Sequence, residues 1–195
     1  MKITVLSAAV ALLSSLSAFA QTEVLKITLN DGQETTVPVG NIKEITFDVE
    51  EVDPAQAYAG VYSGTQTMTV GGTYVYNTEA KYALTAPGDG TLTVSIPEYS
   101  LSGTMMGDLT LGALTIEGLE YDEDKGGFYR NYEDAGLTQH FLAVNGSSTV
   151  FDNDYVLGSG STILVTLDGN SIHVENPFKL GAMPLPLVGN FDGTK

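Results

Sequence analysis

Acid–base or metal chemistry in this chain would have to come from two histidines and 24 carboxylates, because there is no cysteine to serve as nucleophile or thiolate ligand. His173 alternates with Ile172 and Val174, which sets it with Glu175 on the solvated face of a strand. His140 is expected to face inward, yet nothing near it in sequence supplies a nucleophile with an orienting acid. The signatures G-x-S-x-G, H-E-x-x-H and the P-loop are absent. Most carboxylates fall in turns, where aspartate bonds local backbone. The expectation is a protein that is not an enzyme and uses no cofactor.

Asp122 to Glu133, DEDKGGFYRNYE, has the outline of a calcium loop, with Asp122, Asp124, Gly127 and Glu133 at the first, third, sixth and twelfth places. Gly126 offers no side-chain ligand, Arg130 places a cation among the ligand positions, and no helices flank the segment. An acidic hairpin turn fits better, and Asp152-Asn153-Asp154 is a weaker candidate still. No metal site is assigned.

Binding is better served than catalysis, by the ten tyrosines. Tyr62, Gln66 and Met68 share one phase of a strand, and Tyr74, Tyr76, Thr78 and Tyr82 share one phase of the next. These seven residues are the candidate ligand-binding set. The four tyrosine rings are expected to form one cross-strand cluster, filling the interior or lining part of a pocket, with Gln66 and Thr78 in want of polar partners.

The elements that hold this set are two long strands within Gly60 to Thr85, joined by Gly71-Gly72, which accept the positive φ of a tight turn. After the Pro87-to-Gly90 turn, apolar alternation continues through Leu92, Val94 and Ile96, then Leu109 and Leu111. Its phase flips around Gly112 before Leu114 and Ile116, as a β-bulge would do. Phe128 to Tyr132, His140 to Val144, and Val150 to Leu157 (interrupted by Asp152-Asn153-Asp154) are further strand candidates. Ile163 to Leu167 and Ile172 to Val174 form a hairpin across Asp168-Gly169-Asn170. Met183-Pro184-Leu185-Pro186-Leu187 is an edge, strap or barrel-closing segment, since proline cannot donate to a ladder. Eight or nine strands with short turns and no helical periodicity imply an all-β antiparallel sandwich or barrel.

Ahead of this region lies an address. Residues 1–20 carry Lys2, an apolar run from Ile3 to Leu13 and the small-residue ending Ala18-Phe19-Ala20, a cleavable signal peptide. The run is too short to span a bilayer, and no transmembrane helix is expected elsewhere. Residues 21–52 read as a β-hairpin with its turn at Asn30-Asp31-Gly32, closing at Ile42 to Phe47. The acidic stretch from Asp48 to Gln56 reads as a linker, and residues 53–195 as the main domain. The N-terminal hairpin resembles a short module found after the signal peptide in secreted Gram-negative proteins. A net charge of −16 disfavours nucleic acid and anionic membrane surfaces as partners.

Gly60-Val61-Tyr62-Ser63-Gly64, the succession of hairpins and the ending Met183-Pro184-Leu185-Pro186…Phe191-Asp192-Gly193 resemble the calycin-like β-barrel family of bacterial secreted proteins over about residues 57–195. The resemblance implies an up-and-down barrel of about eight strands, lipocalin-like in shape, in a family mostly without known activity. Tyr62 stands where the lipocalin G-x-W motif has tryptophan, so no lipocalin ligand is carried over.

Three readings remain open. One is an exported barrel binding a small apolar, aromatic or sugar-like ligand, in the periplasm, at the outer-membrane surface or outside the cell. Another is an envelope interaction protein with a filled core. The third is an outer-membrane barrel with its apolar face turned to lipid. Residues 53–195 expressed alone should give a cooperative thermal transition. Insolubility, or loss of that transition, would show that the first hairpin is an integral strand pair.

Overall fold

The computed structural model describes residues 23–29, 31–46, 52–181 and 186–195. The expected signal peptide, Phe47, and Met183 to Leu185 lie outside the described residues. The chain divides into two compact units at Glu50/Glu51.

In the first unit β1 (Val24–Thr28) pairs antiparallel with β2 (Glu34–Pro38), from Val24↔Pro38 to Thr28↔Glu34. Asp31 Oδ1 accepts from the Gln33 N–H at 2.9 Å and shapes the turn. The second strand stops sooner than expected. Pro38 has no N–H to donate, and a 3-10 turn (Val39–Asn41) follows, so Ile42 to Thr46 are not strand.

The second unit is the barrel. Its strands are β3 (Gly60–Val70), β4 (Tyr74–Thr85), β5 (Leu92–Ile96), β6 (Tyr99–Thr104), β7 (Gly107–Leu111) and β8 (Leu114–Asp122), then β9 (Gly127–Asn131), β10 (Thr138–Asn145), β11 (Ser148–Val156), β12 (Thr162–Asp168), β13 (Ser171–Phe178) and β14 (Leu187–Thr194). Eight close into a barrel in the order β12-β13-β14-β3-β4-β5-β8-β9, while β11-β10-β7-β6 form a separate four-stranded sheet.

The two sheets share one up-and-down path. The pairs β5/β6, β7/β8, β9/β10 and β11/β12 each follow one another after a short break, and every break moves the chain between barrel and sheet. Gly112, read as a bulge, is such a break. Its N–H donates to the His140 carbonyl at 2.9 Å, and a Cβ there would meet His140 Cβ at 2.8 Å. The strand at Tyr99–Thr104 was not anticipated, because Pro97 divides it from β5. Asp152-Asn153-Asp154 do not interrupt β11, which runs unbroken as an edge of the small sheet with these three side chains exposed.

At one end the barrel is shut. Asp53 caps a 3-10 turn (Pro54–Ala57) by accepting from Ala55 N at 2.8 Å, and Ala55 is fully buried. Pro54 to Gln56 are therefore part of this unit rather than linker. Tyr58 packs edge-on to Phe128 at 4.9 Å, and Tyr62 donates to the Tyr58 carbonyl at 2.8 Å. The apolar phase of every barrel strand points inward, and Glu79, Lys81, His173 and Glu175 point out. That excludes an inside-out barrel with its apolar face toward lipid.

Gly64 makes the closest approach between β3 and β14, where a Cβ would overlap the Asp192 carbonyl oxygen. Gly64→Ala should cost about 2–3 kcal/mol in denaturant unfolding. Gly158→Ala, with nothing near its Cβ, should be close to neutral.

Candidate ligand-binding site

Along the inner phase of β4, exposure falls steadily from the β3–β4 turn inward. Tyr74 is 44% exposed, Tyr76, Thr78 and Ala80 are half-buried, and Tyr82 and Leu84 are buried. The gradient follows from pairing. On the β5 side only Ala83, Leu84 and Thr85 find ladder partners, so over Tyr74–Tyr82 the strand is laddered to β3 alone. Here β4 lies beside β6 of the small sheet without a ladder between them, and the other edge of that sheet meets the chain leaving β13.

At the level of the breaks the interior becomes polar. Tyr82 on β4 donates to Gln66 Oε1 on β3 at 2.5 Å, and its ring stacks on Phe191 of β14 at 4.0 Å. Gln66 Nε2 donates to the Thr67 carbonyl at 3.2 Å. Gly189 on β14 faces Met68 across the ladder, and its missing side chain leaves room between Gln66 and Asn176. A Cβ there would be 3.2 Å from Gln66 Nε2 and 3.7 Å from the Asn176 carbonyl oxygen. Asn176 on β13 accepts from the Tyr132 hydroxyl at 2.6 Å through Oδ1. Gln139 Nε2 donates to the Gly112 carbonyl at 3.0 Å. Gln66, Gln139, Ser161 and Asn176 are the buried polar side chains among the described residues, and Gln139, Ser161 and the Tyr132 partner of Asn176 lie at the breaks.

Some of this polar capacity is unused. Gln139 Oε1 and Ser161 Oγ are buried without a partner. The Tyr99 hydroxyl and Asn176 Nδ2 make no hydrogen bond to any described residue, although Tyr99 is 7% and Asn176 4% exposed. Burial, reinforced by the negative charge of nearby ionised phenols (Tyr99 and Tyr132 for Tyr82, Tyr132 for Tyr99), pushes the Tyr82 and Tyr99 phenols well above their usual range. Burial does the same to Tyr132, offset in part by Asn176.

The seven residues singled out from the sequence divide. Across the β3/β4 ladder Met68 lies opposite Tyr76, Gln66 opposite Thr78 and Tyr62 opposite Tyr82, and the Tyr82 hydroxyl reaches along the ladder to Gln66. Tyr62 is fully buried but belongs to the shut end, and Tyr74 lies exposed beside the β3–β4 turn. The four rings therefore do not form one cluster. Tyr62 is drawn toward Tyr58, Tyr82 stacks on Phe191, and Tyr74 lies beyond the point where a neighbouring wall could cover it. His140 faces outward, with Asp154 at 2.9 Å and Asp152 at 3.2 Å, because Gln139 and Phe141 take the inward phase of β10. Asp122 pairs with Lys125 at 2.6 Å in the β8–β9 hairpin turn, and Glu133 caps Gly160 N at 2.8 Å instead of turning toward that loop. Among the described residues no three His, Asp or Glu side chains converge on a metal-sized site.

Tyr99, Tyr132, Gly189 and Asn176 were missed. Asn176 alone left a signal, as the polar member of the inward phase Ile172, Val174, Asn176, Phe178.

The eight strands form a closed antiparallel barrel plugged at one end by the 3-10 turn. Residues 58–194 match the calycin-like beta-barrel domain, and the chain belongs to that family, generally a non-catalytic binding fold. No curated protein matches the chain. Among solved structures it is similar to a candidate outer membrane protein of Bacteroides fragilis NCTC 9343, at 16% identity and a TM-score of 0.48, covering 88% of this chain and 66% of that one.

The raised phenols set a pH limit. An unfolded tyrosine ionises near 10.0, whereas buried Tyr99 and Tyr132 hold their protons higher. Their contribution is intact below pH 10 and lost as pH rises through the folded values. Alkaline titration followed by phenolate absorbance should show the exposed tyrosines first, then a cooperative step coincident with loss of β-sheet circular dichroism. Tyr99→Phe should move that step to higher pH.

Proposed function

We propose that this protein is exported and non-catalytic, and that it binds a small apolar, aromatic or sugar-like molecule in the half of its barrel away from the plugged end. The observation that carries the reading is the level of the strand breaks, where Gln139 Oε1 and Ser161 Oγ are buried inside an apolar wall with no hydrogen-bond partner among the described residues. Native interiors rarely leave such groups unpaired unless water or a ligand completes them. The inner face of β4 offers a way in, and Tyr76, Thr78 and Met68 are the residues a ligand would pass or touch. Export is supported by the signal-peptide grammar of residues 1–20.

A second reading, an envelope interaction protein with a filled core, draws on the outer edge of β11. That strand ladders with β10 alone, and Val150 and Val156 are about half exposed.

Nile red fluorescence together with unfolding of two variants separates the readings. For a binding barrel the dye brightens, Tyr62→Ala costs about 3–5 kcal/mol at the shut end, and Tyr76→Ala costs about 1 kcal/mol while changing dye affinity severalfold. Equal, large losses from both variants, with no dye bound, would leave the interaction protein as the better account.

A further inference from the structure

We infer that the end of the barrel away from the plug docks on the zwitterionic surface of a phospholipid bilayer, through apolar side chains carried on three hairpin turns. This surface is separate from the interior, and its role does not depend on whether a small ligand binds there.

The three turns share one end. β3 starts at the plug and finishes in the β3–β4 turn. β5 runs antiparallel to β4, and after Pro97 the chain continues beside β4 as β6, which brings out the β6–β7 turn at the same end. Val144 of β10 pairs with Asp108 of β7, so the β10–β11 turn stands next to it. A Cβ on Gly107 would overlap the Val144 carbonyl oxygen. At or beside these turns Tyr74, Val75, Met105 and Val150 are exposed.

Charge divides the barrel along its axis. The turns at the plugged end are acidic, with Asp89 between β4 and β5, Asp122, Glu123 and Asp124 between β8 and β9, and Asp168 between β12 and β13. The sequence has no charged residue from Val61 to Thr78, from Tyr99 to Gly107, or from Phe141 to Phe151. In a chain of net charge −16, the apolar turns are therefore the part that approaches lipid with least repulsion.

The turns also satisfy much of their own backbone, which lowers the cost of leaving water. Thr73 N–H donates to the Val70 carbonyl at 3.2 Å. Thr104 Oγ1 donates to the Gly107 carbonyl at 2.6 Å and accepts from Met106 N–H at 3.2 Å, while Gly103 N–H donates to Asp108 Oδ1 at 3.0 Å. A protein partner would want a contiguous face of about 800 Å². Here single apolar side chains alternate with glycine, serine, threonine and asparagine. A headgroup layer takes such side chains one by one and hydrogen-bonds the polar groups between them.

Flotation with phosphatidylcholine vesicles tests this on the exported form, residues 21–195, because an uncleaved apolar leader would bind lipid by itself. The protein should float with the vesicles, and admixed phosphatidylglycerol should weaken binding at low salt. The combined change Tyr74→Ser, Val75→Thr and Met105→Ser should weaken binding by about tenfold or more while leaving the thermal transition in place. Val61→Ser, which removes an exposed apolar side chain at the plugged end, should change nothing. The chain has no tryptophan, so Met105→Trp supplies a single emission. It should shift to the blue and be quenched by brominated lipid, and Val61→Trp should do neither. Absence of flotation, binding that survives the combined change, or binding lost on Ile27→Ser in the first unit would overturn the proposal. So would a dimer, seen by light scattering without lipid, that the combined change abolishes, since the turns would then serve a second copy of the chain.

Discussion

A β-barrel wall cannot be interrupted without leaving backbone N–H and C=O groups to be paired some other way, and here four neighbouring strand paths are interrupted side by side. The repairs are specific. Gly112 N–H reaches the His140 carbonyl, and the Gly112 carbonyl is taken by the Gln139 side chain. Tyr132 N–H goes to the Ser161 carbonyl at 3.0 Å, and Leu157 N–H to the Leu137 carbonyl at 2.8 Å. Gly158 and Gly181 bond across to Lys179 and Val156, tying the small sheet to the chain leaving β13. Because the breaks are paired off in this way, the sheet can leave the barrel without stranding backbone groups. The cost is a level of polar groups in an otherwise apolar interior.

The two halves on either side of that level solve different problems. Below it, toward the 3-10 plug, Tyr62, Phe128, Ile116, Leu119 and Val165 are wholly buried, and the plug adds Ala55 and Tyr58. That half holds a close-packed core of the kind whose truncation is expensive. Above it, β3 and β4 continue past the last β5 partner, and apolar residues such as Tyr76, Phe151 and Tyr155 are only partly covered. The stability that tolerates an incompletely packed upper half comes from the lower one, which is also the half a disulfide-free chain must rely on.

How far this could be read from the sequence varied with the range of the interaction. Period-2 alternation located β3, β4, β5, β12 and β13 because each has one dry face and one wet face along its own length, and the paired glycines at 71 and 72, with φ of 60° and 71°, announced their turn. What alternation does not carry is the identity of a strand's neighbour. Gly112 was visible as a change of phase, but that the phase changes because the chain crosses from one sheet to another depends on the matching breaks near Pro97, Tyr132 and Gly158. The same limit applied to the candidate site. Gln66 and Tyr82 were found since they lie on adjacent laddered strands, whereas Asn176 and Tyr132, 44 positions apart and on strands that do not pair, meet only once the barrel has closed.

That long-range pair also braces the end of a broken strand. β9 reaches β13 only through β12, so the Tyr132–Asn176 bond spans the interior rather than following a ladder, and it fastens the end of a broken strand to an unbroken one. On the opposite wall the Tyr82–Gln66 bond lies at the last stretch of β4 before its β5 partners begin. Each is a buried bond whose loss would strand an amide in a dry interior, a larger penalty than the bond's own net worth of about 1 kcal/mol. Tyr82–Gln66 braces two neighbouring laddered strands, and Tyr132–Asn176 ties the end of β9 to β13 past β12. The polar level is therefore braced by buried bonds, and replacing one partner by an apolar residue of equal size would leave the other without a partner in the interior.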